Sequence, residues 1–139
     1  MTTIYLIRHA EAEGNLYRRI QGHWDGSITA LGLQQIDALA QRFRHEHIDA
    51  LYCSNLSRAR VTAEAITRYH DVPAVATPRL AEICMGVWEG RAWGDVEHEF
   101  PEQMRYFNTD PEKWSVPGGE PIREVQKPSL IHISEPTRL

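Results

Sequence analysis

Thr3–Ile7 is a short apolar run, rich in β-branched and aromatic residues, that ends directly on Arg8 and His9. No other feature constrains the fold as much. Such a run reads as a buried strand of a parallel sheet. In open α/β sheets, ligands sit just beyond the carboxyl ends of the strands, where Arg8 and His9 fall. A guanidinium beside an imidazole at that place has the parts for phosphoryl transfer through nitrogen. On these residues alone, the competing reading is a strand-closing histidine beside a solvated arginine.

The order of elements sets the frame for that end. Thr29 reads as an N-cap, with Leu33, Ile36, Ala40 and Phe43 following at helical spacing and the helix stopping near His45. Asp49 to Ser54 resumes as a strand. A second helix is predicted from Ser57 to about Tyr69, with Ala59, Ala63 and Ile66 on its buried face. Val75 centres a short third strand between Pro73 and Pro78. Strands alternating with helices predict an α/β fold with a mostly parallel sheet covered by helices. From Gly90 to Ser115 aromatic residues are scattered among charges, which reads as a helical insertion leaning over the site.

At 139 residues the chain is one domain, large enough to bury roughly two-thirds of its unfolded surface. A net charge of −4 with no basic stripe argues against nucleic acid as a partner. No apolar run approaches the roughly 20 residues of a membrane span, and no signal peptide opens the chain. Cys53 and Cys84 read as buried thiols of a cytoplasmic protein.

Four ordered segments then carry the chemistry: Arg8-His-Ala-Glu-Ala-Glu-Gly-Asn15, Ser54-Asn-Leu-Ser-Arg58-Ala-Arg-Val-Thr62, Leu80-Ala-Glu82-Ile-Cys-Met-Gly86-Val-Trp-Glu-Gly90, and Pro117-Gly-Gly-Glu120. Together they resemble the histidine phosphatase superfamily, the phosphoglycerate-mutase-like proteins, from about Thr3 to about Val125. Ala10 and Ala12 stand where that family usually has Gly and Thr. The resemblance implies a three-layer sandwich, incomplete at the C-terminus. It also implies a second pocket histidine in a Ser-His-Gly context after a later strand. This sequence has no such segment, and His132, in Ile-His-Ile, is not given the role.

Residue chemistry and resemblance agree on roles. A neutral imidazole is a nucleophile near neutral pH without a separate base, which suits His9. Phosphoryl transfer asks the protein mainly to orient groups and stabilise charge on three equatorial oxygens. Arg8 and Arg58 are the expected clamps, because a guanidinium fork grips two phosphate oxygens. Arg58 opens a helix, where free N–H groups also favour an anion. Glu82 is the expected proton donor to the leaving alkoxide, kept protonated by apolar neighbours; Glu11 ranks second. Asn15 is implied by the resemblance to donate its amide to a phosphoryl oxygen, and Gln21 and Gly22 are expected to line the same mouth. Glu89 reads as a loop anchor, Ser54 as a structural hydrogen bond, and His23 as an ordinary surface histidine. No metal or organic cofactor is expected, since the arginines carry the charge neutralisation.

The tail Ser129–Arg138 resembles the translation of a sequencing-library adapter. The chain is therefore expected to divide into a truncated phosphatase domain over 1–128 and a non-native tail over 129–139; the competing reading of the tail is a C-terminal strand from Leu130 to Ile133. The leading expectation for the intact protein is hydrolysis of a small phosphomonoester through phosphohistidine. Sugar phosphates, a cobalamin nucleotide-loop precursor and phosphoserine are the substrates that the resemblance implies. The alternatives are a phosphoglycerate mutase and a non-catalytic phosphate-ester-binding fragment. Between Arg91 and Pro117 acidic residues outnumber basic ones and aromatics dominate, which favours hydrolysis of a less acidic, apolar ester.

Overall fold

A computed structural model of the chain describes residues 1–124. Their elements run α1 (Glu13–Leu16), α2 (Ala30–Phe43), β1 (Leu51–Ser54), α3 (Ser57–Thr67), β2 (Ala74–Thr77), α4 (Trp93–Glu99) and α5 (Pro101–Thr109), with 3₁₀ turns at Pro78–Leu80, Gly86–Trp88 and Pro111–Lys113. The fold is mixed α/β, a parallel sheet flanked by helices. β1 and β2 pair in parallel with Leu51 opposite Ala74 and Ser54 opposite Thr77. α3 is the crossover between them and packs on both strands, with α2 against α3. The expected tail over 129–139 lies outside the described residues.

The sequence placed α2 well. Thr29 caps it, its hydroxyl oxygen accepting the Gly32 N–H at 3.0 Å. The buried stripe is Gly32, Ile36, Ala40 and Phe43, so Leu33, one position off that stripe, is 54% exposed rather than in the core. Ala10, Ile36, Ala40 and Ala65 form a close-packed seam of small side chains between α2, α3 and the chain beside His9.

The opening run departs from expectation. Residues 3–7 form no strand, and Ile4 and Leu6 are 60% and 85% exposed. A strand is defined by its ladder partner, and none of the described residues pairs with this segment. The same holds for one face of the sheet. Tyr52 and Val75, paired in register, are both exposed, while Cys53, pointing the other way, is buried.

The insertion after Gly90 builds a second core. Trp88 is fully buried and meets the rings of Phe100, Phe107 and Trp114 at centroid distances of 6.2, 6.0 and 5.6 Å. Ile20, Met85, Val96, Met104 and Val116 complete this cluster. The aromatic residues expected to lean over the site thus pack into this core, Trp114 buried within it and Trp93, Phe100, Tyr106 and Phe107 partly buried against it.

Candidate active site

The backbone just after His9 is anchored to both α3 and α2. The Ala10 N–H donates to Thr62 Oγ1 at 2.9 Å, and the Thr62 hydroxyl donates to the Arg58 carbonyl at 2.7 Å. The Glu11 N–H donates to Gln35 Oε1 on α2 at 2.8 Å. The half-buried imidazole places Nδ1 at 2.7 Å from the Ala10 carbonyl oxygen. A carbonyl only accepts, so Nδ1 carries the proton and Nε2 keeps its lone pair. Burial pushes the His9 pKa below its ordinary value, and the charges of Arg58 and Arg8 push the same way. The Ala10 hydrogen bond and Glu82 oppose them. The imidazole is therefore neutral at neutral pH.

Arg58 is 3% exposed and firmly oriented. Its Nη2 donates to the Gly22 carbonyl at 2.8 Å and its Nη1 to the Trp24 carbonyl at 3.2 Å. Asp25 adds a carboxylate at 3.5 Å from Nη1. That carboxylate also accepts the N–H groups of Ser57 and Arg58. The start of α3 was expected to offer free N–H groups to a phosphate; Asp25 already takes them. Gly22 has φ +52°, and a Cβ there would stand 2.4 Å from Glu89 Oε1, so this position requires glycine.

Glu82 lines a cavity of about 330 Å³ with His23, Asn55, Arg79, Glu120 and Glu124 among others. It is exposed, and its Oε1 accepts the Ile83 N–H at 3.0 Å. Leu80 is itself 45% exposed, so the apolar neighbours do not bury the carboxyl as expected. His23, read as an ordinary surface residue, belongs to this site. Its Nε2 is 2.8 Å from the Glu82 carbonyl oxygen, and its N–H donates to Glu89 Oε1 at 2.8 Å. Glu89 Oε1 also accepts the Met85 N–H at 2.9 Å, which makes it the anchor of this loop. Glu11, the second acid candidate, is engaged elsewhere, its Oε1 accepting the Thr29 hydroxyl at 2.6 Å.

The remaining candidates fall around these groups. Arg8 is exposed and shares a shallow cavity of about 280 Å³ with His9, Gln35, Leu39 and Thr62. Asn15 Oδ1 accepts the Ala12 N–H at 3.0 Å, which leaves its amide nitrogen as a donor. Gln21 packs against Gly14, with its Oε1 buried and without a partner among the described residues. Ser54 Oγ accepts the Leu56 N–H at 3.1 Å, a structural bond. Cys84, expected to be buried, is only half-buried, its thiol 3.4 Å from the Gly118 carbonyl. His9 and Arg8 line the smaller cavity and Glu82 the larger, while the charges of Arg8, Arg58 and Glu82 all act on the imidazole. Among the described residues no three His, Cys, Asp or Glu side chains could hold a metal ion together.

Asp25, His23 and Thr62 went unrecognised as site residues in the sequence. Asp25-Gly26 reads as a turn and Thr62 as helix packing. Their partners stand tens of residues away, and spacing carries no signal for such pairs.

The family described as "Histidine phosphatase superfamily (branch 1)" matches residues 4–130. The chain belongs to the histidine phosphatase superfamily. Its relatives include "Phosphoserine phosphatase 1" of Hydrogenobacter thermophilus and "Probable phosphoglycerate mutase GpmB" of Yersinia pestis, each 34% identical over 90% of this chain. The chain spans 59% and 58% of those two proteins' lengths. Among solved structures, Bacillus stearothermophilus YhfR superposes with a TM-score of 0.83 at 30% identity, covering 92% of this chain and 63% of that one. The alpha-ribazole phosphatase of Shigella flexneri superposes at 0.82 and 27% identity, covering 95% and 65%. Membership in the histidine phosphatase superfamily agrees with the four ordered motifs, the Arg8-His9 pair among them.

Proposed function

We propose that the protein hydrolyses phosphomonoesters of small metabolites through a phosphohistidine on His9. The observation that carries this reading is the 2.7 Å contact from His9 Nδ1 to the Ala10 carbonyl, which leaves Nε2 as a free nucleophile in the field of two guanidinium groups. Nε2 attacks phosphorus as the ester oxygen departs, and Arg58 and Arg8 take up the charge on the equatorial oxygens. Glu82 gives its proton to the leaving alkoxide. It then takes a proton from the water that cleaves the N–P bond, restoring His9. Asn15, Gln21 and Gly22 complete the phosphate mouth.

Hydrolysis is favoured over mutase chemistry by the cavity beside Glu82. Glu82, Glu120 and Glu124 face one guanidinium there, that of Arg79. A substrate carrying a second anion meets net repulsion in such a place. Phosphoglycerate mutase is the second reading, carried by the likeness to the Yersinia protein. Two free cysteines fit a reducing compartment such as the cytoplasm. Rapid-quench labelling with a radioactive phosphomonoester, worked up in alkali, tests the proposal. Label on His9 that chases to inorganic phosphate supports it. Label returned to the substrate indicates the mutase, and ester binding without label indicates a non-catalytic binder.

A further inference from the structure

We infer that Asp25 is a positioning residue for Arg58, fixing its guanidinium so that one two-donor edge faces the phosphoryl group; this rests on the phosphatase reading of the same site. α3 has no capping side chain of its own, because the residue before it is Leu56. Capping normally falls to a Ser, Thr, Asp or Asn at that position. Here Asp25, 32 residues away from Ser57, supplies the acceptor, taking the Ser57 N–H on Oδ2 and the Arg58 N–H on Oδ1 at 3.3 Å.

The same carboxylate offsets a cost. A guanidinium in the first turn of a helix sits against the positive end of the helix dipole. It is also buried, and a buried charge without a partner is expensive. Asp25 Oδ1 lies 3.5 Å from Arg58 Nη1 and supplies the opposite charge.

The donors that remain define the geometry. A guanidinium has five N–H groups. Nη1 is turned to Trp24 O and Asp25, and Nη2 gives one hydrogen to Gly22 O. The Nε–H and the second Nη2–H have no partner among the described residues. The Nε–H shares an edge of the guanidinium with one of the Nη2 hydrogens, the fork that binds two oxygens of one phosphate. Asp25 and the carbonyls of Gly22 and Trp24 thus hold the two terminal nitrogens of the guanidinium and leave its Nε–H to a ligand oxygen. Without Asp25 the side chain loses its charged restraint, and a displacement of about 1 Å is enough to cost on the order of a hundredfold in rate.

The test compares the chain with its Asp25→Asn variant. Inorganic phosphate affinity is read by calorimetry, p-nitrophenyl phosphate hydrolysis by kcat and KM, and folding by thermal melting. Asparagine keeps an acceptor for the helix and removes the charge that restrains Arg58. The expected result is a folded variant with weaker phosphate binding and a kcat/KM lower by about tenfold to a hundredfold. Asp25→Glu should recover part of the loss. In an Arg58→Lys background, where no fork exists, Asp25→Asn should add little. The inference is overturned if folded Asp25→Asn binds phosphate as tightly as the parent, or more tightly, which would make Asp25 a competitor of the substrate. It is also overturned if the full loss persists beside Arg58→Lys. A parent chain that neither binds phosphate nor hydrolyses the ester overturns the phosphatase reading instead, and the positioning role with it.

Discussion

The His23 N–H and the Glu89 carboxylate, 66 residues apart in the chain, are joined by a hydrogen bond of 2.8 Å. That bond ties the loop carrying Gly22, which holds Arg58, to the loop carrying Glu82. The same Glu89 oxygen also accepts the Met85 N–H. Glu89→Ala leaves two backbone donors unpaired, a loss of about 1–3 kcal/mol. Urea denaturation should register it. Glu89→Gln, which keeps an acceptor, should lose less than half as much.

His9→Asn should remove all phosphoenzyme label and lower kcat/KM by roughly a thousandfold or more, as loss of a nucleophile does. Binding of inorganic phosphate should persist, because the arginines remain.

The acid side of the pH profile belongs to His9. Its pKa is lowered first by burial and then by Arg58 and Arg8. The nucleophile is the neutral form, so kcat/KM should fall only below the ordinary value of 6.5. Arg8→Gln removes a charge that lowers the pKa, and the acid limb should move upward. The linked stability has the same sign. The neutral form is favoured on folding, so this contribution is whole above pH 6.5 and is lost as pH falls through the folded-state value. Melting curves of the parent and His9→Asn between pH 5 and 8 check it: the variant should lose less stability toward acid.

Glu82→Gln should depend on the leaving group. For an alkyl phosphate, whose alkoxide needs a proton, kcat should fall by about a hundredfold to ten-thousandfold. For p-nitrophenyl phosphate, whose phenolate leaves unaided, the loss at the first step should be far smaller. Equal losses would remove Glu82 from the role of acid.

Trp88→Ala tests the second core. The indole is fully buried among three aromatic rings, and its removal should cost about 3–5 kcal/mol. Phosphate affinity of the folded fraction should change little, since Arg8, His9 and Arg58 are not members of this cluster.

What the sequence determined by itself is what depends on neighbours along the chain. Thr29 before an apolar stripe specified α2, the residues after Ser57 specified α3, which ends at Thr67 rather than near Tyr69, and the runs around Cys53 and Val75 specified the parallel pair. The Arg-His pair, Arg58 and Glu82 stood out as candidates because four motifs stood in order, and those motifs implied the family. Periodicity could not say whether the run from Thr3 to Ile7 would find a strand to pair with, because a ladder needs a second segment. Nor could it tell a lid from a core for the aromatics after Gly90, since both place large apolar side chains on short helices.

Tertiary structure alone decided how the charges are partnered. Asp25 rather than substrate holds the first N–H groups of α3, His23 and Glu89 bind two loops together, and Glu82 stands in water rather than in an apolar pocket. Each of these turns on groups brought within about 3 Å of one another from distant parts of the chain. Hydrogen bonds and ion pairs are short-ranged and directional, so residue type announces the capacity to form them and only the fold assigns the partner.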